Sequence, residues 1–370
     1  MENTHKFSME STHDLLSKSL SMPQQIFRFH DIADVAISSD SALVNEFFEA
    51  EYGYHRTPER HRDDVQDAPA QPGFPRAALD FHLGGTAPAG YTRHIHKVLA
   101  RWEYQIDLQP GAVDLRVFGN RAAVAMVHHM LVHPSLRWLS ANHNTLLLHA
   151  GAVAKNGKSL IFTGKGGAGK TTTTSLVLAS GQGWQIHADD YVFLGEKHSQ
   201  AYVTRSHLYR DLLNWVPEVR ARLTPWEGTR LEFFGALRKY SREGIKWPVR
   251  LSPQRLWPGT PIASTATPAA ILLLERADVP IPVLKPIRSL LETASDLLQM
   301  NFGEARHFLT LLRKAGRLDD AWLDAWKNQE ARLIARSLRT IPTYRLVLPF
   351  SESAKGAQAS LMPFLDELIK

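Results

Sequence analysis

A mixed α/β fold is predicted for this 370-residue chain by three features. A strand-like apolar run, Ser159-Leu160-Ile161-Phe162-Thr163, leads into a glycine-rich loop and a threonine-rich helix start. A second apolar run over residues 184–188 follows that helix and ends in Asp189-Asp190. Earlier in the chain, two short strand-like runs precede a helical pattern and form a smaller α/β block. Strand and helix signals that alternate in this way describe a sheet covered by helices.

Residues 1–25 read as a flexible leader and 26–140 as a smaller N-terminal α/β domain. A strand is expected over 26–37, where Phe27, Phe29 and Ile32 recur without helical spacing. Residues 54–75 are rich in Arg, Asp, Gln and Pro and poor in large apolar groups, which predicts a long or partly disordered connection. Runs over 104–108 and 113–118 flank Pro110-Gly111, a turn signal. Residues 122–139 read as one buried helix with Val124, Val127, Leu131 and Trp138 in the core.

The second domain is expected over 141–350. Apolar runs over 145–153 and 159–163 are joined by Lys155-Asn156-Gly157-Lys158, a hairpin connection. Beyond Gly195, Pro217, Pro225, Pro248, Pro253, Pro258 and Pro261 break the chain into short pieces. Residues 271–274 predict another core strand. Two helices are expected between Glu304 and Leu338, interrupted at Gly316; Trp322, Trp326, Leu333 and Leu338 give the second a core stripe. A strand over 344–348 and a C-terminal helix within 351–370, starting near Ser353, close the chain, and there is no internal repeat.

Composition narrows the function classes. The 43 Lys and Arg against 37 Asp and Glu give a charge of +6, mild and scattered. This suits an anionic ligand and does not resemble a nucleic-acid surface. With no cysteine, disulfides, Cys-ligated zinc and thiol catalysis are excluded. No segment approaches the ~20 apolar residues that span a membrane, and the polar first 21 residues do not read as a secretory signal. A cytoplasmic location, with its nucleotide pool, is the expectation.

Residues Gly164, Lys165, Gly166, Gly167, Ala168, Gly169, Lys170 and Thr171 match G-x-x-x-x-G-K-[ST] at every fixed position. Glycines let successive backbone N–H groups turn inward on phosphates, and the helix opening at Thr171-Thr172 adds its positive dipole end. Lys170 would bridge the β- and γ-phosphates of ATP or GTP, and the Thr171 hydroxyl would ligate Mg²⁺. The loop follows a strand signal and opens a helix, the context such a motif requires. No base-specific motif separates ATP from GTP.

Asp189-Asp190 ends the next apolar run, where one carboxylate can ligate Mg²⁺ and the other can accept a proton from a hydroxyl. Asp pairs also occur in solvated turns and helix caps. His149 closes an apolar run and, taken alone, reads as a hydrogen-bonded core histidine. His94, His96, His128, His129 and His133 carry no metal-ligand pattern such as HExxH, and no metal beyond Mg²⁺ is expected.

The stretch LLLHAGAVAKNGKSLIFTGKGGAGKTTTTSLVLASGQGWQIHADDYVFL resembles the catalytic core of the HPr kinase/phosphorylase superfamily. The shared pattern covers about 50 residues: a His before a β-hairpin, a P-loop, a helix, then a strand ending Ala-Asp-Asp. The flanking chain is similar to the broader HPr-kinase-like group, which includes lasso-peptide kinases. The resemblance implies a P-loop kinase core of the HPr kinase/phosphoenolpyruvate carboxykinase type behind a smaller α/β domain. It implies ATP-dependent transfer to a serine-type hydroxyl on a peptide, protein or small molecule, and it permits a homo-oligomer. Asp189 would be the general base, His149 would hydrogen-bond or tune the catalytic carboxylate, and Asp190 would help hold Mg²⁺. Arg205, Arg210 and Lys246 would be downstream phosphate or substrate contacts. The family's R-G-x-G-I-I-N-V signature is replaced by WEGTRLEFFGALRKY, which argues against HPr itself as acceptor and against phosphorolysis.

Two other readings compete. One is a regulatory or assembly protein switched by slow nucleotide hydrolysis. The other is phosphoryl chemistry on a small carboxylic acid, for which no His/Lys metal pair is visible.

Overall fold

The computed structural model describes residues 24–56, 74–96, 99–241, 247–287, 289–349 and 354–370. The leader falls outside them up to residue 23, as do residues 57–73 of the expected loop, Ser353 and Lys246.

The expected strand over 26–37 is two strands, β1 (Gln24–Phe29) and β2 (Ala33–Ser38), paired antiparallel. His30 makes the reversal in the left-handed region, φ 54°, which few side chains other than Asn, Asp and His adopt. The apolar run hid this turn because no Gly or Pro marks it. After α1 (Ala42–Tyr52) come β3 (Arg76–Leu83), β4 (Thr92–His96), β5 (Ala100–Gln109) and β6 (Ala112–Gly119). The six lie in the order β1-β2-β3-β6-β5-β4, with β3 parallel to β2 and β6. Alternation along β5 buries Ala100, Trp102, Tyr104 and Ile106.

The expected helix over 122–139 is also interrupted. It comprises α2 (Ala123–Val127), a π turn (His128–Val132) and α3 (His133–Asn142). Pro134 has no N–H to give to Met130, and the His133 N–H bonds back to His128 instead. One extra residue is thereby accommodated in the turn.

The second sheet starts with β7 (Leu146–Lys155) and β8 (Lys158–Thr163), the expected hairpin, turning on left-handed Asn156 and Gly157. Next come α4 (Lys170–Ala179), β9 (Gln185–Ala188), β10 (Tyr191–Leu194), β11 (Ser199–Ala201) and β12 (Ser206–Leu208). They are followed by α5 (Pro225–Tyr240), β13 (Val249–Leu251), β14 (Thr265–Ala277), β15 (Val283–Pro286), α6 (Leu290–Lys314), α7 (Asp320–Thr340), β16 (Thr343–Pro349) and α8 (Ala354–Ile369). The order is β11-β10-β7-β8-β14-β16-β15; β9 also pairs with β7, and β11 returns to β14. Strands β8, β14 and β16 are parallel, so their carboxyl ends, where α/β proteins place ligands, lie together.

Helix α6 begins 14 residues before the expected Glu304; within it Asn301, a weak helix former, is buried and bonded to Leu147, His149 and Glu330. One apolar cluster runs from Phe27 and Trp102 in the first sheet through Leu136 and Phe193 to Phe308 and Trp326. The two sheets therefore share a core. Across it Arg137 of α3 forms a buried ion pair with Glu330 of α7, 2% and 1% exposed. Among the described residues no helix is long and apolar enough to cross a membrane.

Candidate active site

The glycine-rich loop joins β8 to α4 where β8 ends inside the sheet. Gly164 and Ala168 are buried while Lys165, Gly166 and Gly167 are exposed, so the loop arches outward. Gly169 caps α4 at φ 107°, with no side chain capping its N-terminal amides. It is this left-handed φ that calls for glycine; a Cβ there would also sit 2.9 Å from Arg276 Nη2, the end of a flexible side chain that lies against the loop. Lys170, 8% exposed, donates to the Gly164 carbonyl at 2.9 Å and keeps its ammonium inside the loop. Thr171 and Thr172 are half-buried in the first turn.

The aspartates lie in the turn between β9 and β10. Gly151 in β7 lets them approach the loop: a Cβ there would lie 2.7 Å from Thr174 Cγ2, 3.1 Å from the Asp189 carbonyl and 3.7 Å from the Lys170 carbonyl. The start of α4 and the aspartate turn thus converge on one backbone position. Asp190 faces two histidines, His149 Nε2 at 3.8 Å and His207 Nδ1 at 3.5 Å. His149 also has Glu304 Oε1 3.4 Å from Nδ1, its ring stacks on Tyr191, and its backbone N–H donates to Asn301 Oδ1 at 3.1 Å.

The electrostatics separate the two carboxyls. Burial pushes Asp189 up to about 6, the charge of Asp190 adds to this, and His207 and the Ser206 hydroxyl oppose it. Burial would also raise Asp190, but its close contacts with His149 and His207 outweigh it and hold Asp190 well below the usual carboxylate range. Burial lowers His149, yet Asp190 and Glu304 more than compensate and its net shift is upward. Burial depresses Lys170, opposed chiefly by Asp190, Glu304 and Asp189. Behind Asp189, a cavity of about 20 Å³ lined by Thr174, Ser175 and Ser206 has room for one water.

His149 meets Asp190 and not Asp189, the carboxylate expected as base; Asp189 instead lines the small cavity with Thr174 and Ser206. Arg205 is held by Glu51, together with Arg250, and Arg210 by Glu232 at 2.5 Å. Neither cation is drawn to the loop. Sequence reasoning missed Glu304, Asn301, His207 and Arg276, and it set aside His129, which lies within electrostatic reach of Glu304 and Asp190. Arg276 had a readable signal. It closes β14, the parallel neighbour of β8, at the end where ligands gather.

Searches against protein-family models and against curated proteins find no match to this chain.

Proposed function

We propose that the protein is a P-loop phosphotransferase with an HPr-kinase-like core, which moves the γ-phosphoryl group of ATP or GTP to a hydroxyl of a peptide, protein or small molecule. The observation that carries this reading is the convergence of the Lys170 helix start and the Asp189-Asp190 turn on Gly151. A loop that only bound nucleotide would need no pair of carboxyls with opposite electrostatic character within electrostatic reach of its lysine.

The donor set suits Mg²⁺. Among the described residues there is no cluster of three or more His, Cys, Asp and Glu that could cage a metal. Mg²⁺ needs none, since one or two protein oxygens with phosphates and water complete its shell. Thr171 and Asp190 would hold it, and the charge of Asp190 is secured by His149 and His207. When bound, the ion would neutralise developing charge on the phosphates.

The chain's own groups account for the rest. Backbone amides of Gly164 to Thr172 and the Lys170 ammonium gather the phosphate oxygens. Asp189, with its raised affinity for a proton, takes the hydrogen of the attacking hydroxyl. His149 fixes Asp190 while Glu304 orients His149 from the other side. Transfer of this kind is mostly positioning and charge neutralisation.

Incubation with γ-labelled ATP, Mg²⁺ and serine peptides tests the reading: label should appear on a peptide. Label released only as inorganic phosphate, at the same rate with and without acceptor, would instead favour the nucleotide-switched regulatory protein.

A further inference from the structure

Between α5 and the segment that follows β12 lies a cavity of about 290 Å³, near the lower size of small-ligand pockets. Its walls are aromatic and cationic: Tyr209, Phe234 and Trp247 on one hand, Arg210, Arg238 and Lys239 on the other, with Asp211 the one carboxylate among them. The cavity is built by specific packing. Gly235 admits the Arg210 side chain, whose Cδ would lie 2.6 Å from a Cβ placed there. Phe234 and Trp247 meet edge to face at 5.5 Å, and Arg238 lies 5.2 Å over the Tyr209 ring while reaching Asp211 at 3.2 Å. Glu232 meets Arg210 on the α5 side.

This cavity adjoins the site. Tyr209 is two residues beyond His207, about 7 Å along extended chain, and His207 contacts Asp190. The same segment runs on to Trp215, on which Arg276 stacks at 5.1 Å beside Gly169. One stretch of chain therefore touches the aspartates, walls the cavity and returns to the loop. The outer face of α5 continues the aromatic surface with Trp226, Phe233 and Tyr240, 69%, 62% and 90% exposed and seven residues apart. That stripe extends about 21 Å, longer than a small metabolite.

Resting on the phosphotransferase reading, we propose that this cavity anchors the phosphoryl acceptor, and that the acceptor is a peptide segment with carboxylate side chains beside an aromatic or large apolar residue. With Arg210 on Glu232 and Arg238 on Asp211, the exposed Lys239 leaves the wall net positive and selects the negative charge, and the aromatic walls and stripe select the apolar neighbour. The length of the surface favours a chain over a free small molecule.

Fluorescence anisotropy on the full chain tests this without any transfer step. The probes are a fluorescein-labelled serine peptide flanked by glutamate and phenylalanine and its glutamine counterpart. The glutamate peptide should bind about tenfold more tightly, with an advantage that shrinks as salt rises. Lys239→Glu, at an exposed position, should remove that preference, and Gly235→Trp, which fills the cavity, should abolish binding. Both variants should keep wild-type affinity for a fluorescent ATP analogue. Equal binding of the two peptides, absence of binding, or unchanged binding in both variants overturns the proposal. Loss of nucleotide affinity in Lys239→Glu also overturns it, because the cavity would then hold the base. Charge-selective peptide binding without label transfer leaves the anchor intact and removes the phosphotransferase reading.

Discussion

Lys170 holds its ammonium on the Gly164 carbonyl, inside the arch that would receive phosphates. Lys170→Ala should therefore lower transfer by about 10³-fold or more, as loss of a charge-stabilising group in a dry site does. The two aspartates should separate in assay. Asp189→Asn should reduce turnover by about 10²- to 10⁴-fold with nucleotide affinity nearly unchanged, the effect of losing a general base. Asp190→Asn should weaken Mg²⁺-dependent nucleotide binding as well; equal effects of both substitutions on nucleotide affinity would dissolve the division of roles. The lysine, the threonines and the aspartates could be named as candidates because a glycine-rich loop and a strand end are local signals. Glu304, Asn301 and His207 could not, because they reach His149 or Asp190 from elements far along the chain, and no local spacing marks a tertiary contact.

Elements bring those residues together through close approaches that sequence shows only in part. The Asn156-Gly157 hairpin was legible, since turn chemistry is local, whereas the crossing of β7 over α4 at Gly151 carries no signature beyond the glycine. Gly151→Ala would force a methyl to 2.7 Å from Thr174, and should cost about 1–3 kcal/mol in stability as well as turnover. A calorimetric comparison checks this; an unchanged Tm with full activity would mean that β7 and α4 yield freely. The Arg137–Glu330 pair joins α3 to α7, and Trp326 and Asn301 also donate to Glu330. Glu330→Ala leaves a buried guanidinium unpaired and should cost about 3–5 kcal/mol by urea unfolding. Joint replacement by apolar residues of similar volume should cost less. The π turn was invisible for the opposite reason: the apolar periodicity continues through it, and only Pro134 hints at the missing hydrogen bond.

At the scale of the molecule, a mixed α/β architecture was legible from the alternation of strand and helix signals, and the shared core of the two sheets was not, since no pattern within either half records it. That core also sets the response to acid. Burial holds His55, His128 and His133 well below their usual range and His187 at about 4. The unfolded chain binds protons to these groups first, so stability should fall as pH drops from about 6.5, with His187 alone contributing on the order of 3 kcal/mol by pH 4. His149 and Asp189, both raised in the folded state, act with the opposite sign. Urea midpoints at pH 7 and pH 5 measure the balance, and a midpoint that rises on acidification would contradict it. The phosphotransferase proposal requires the loop after Thr163 and the acids after Ala188 to enclose one polyphosphate and its magnesium. A crystal structure with Mg²⁺ and a non-hydrolysable ATP analogue checks this arrangement. Phosphates should lie inside the arch from Gly164 to Thr172, with Lys170 moved from the Gly164 carbonyl onto them and Asp190 turned toward the metal. A nucleotide bound elsewhere, with Lys170 still on Gly164, would contradict it.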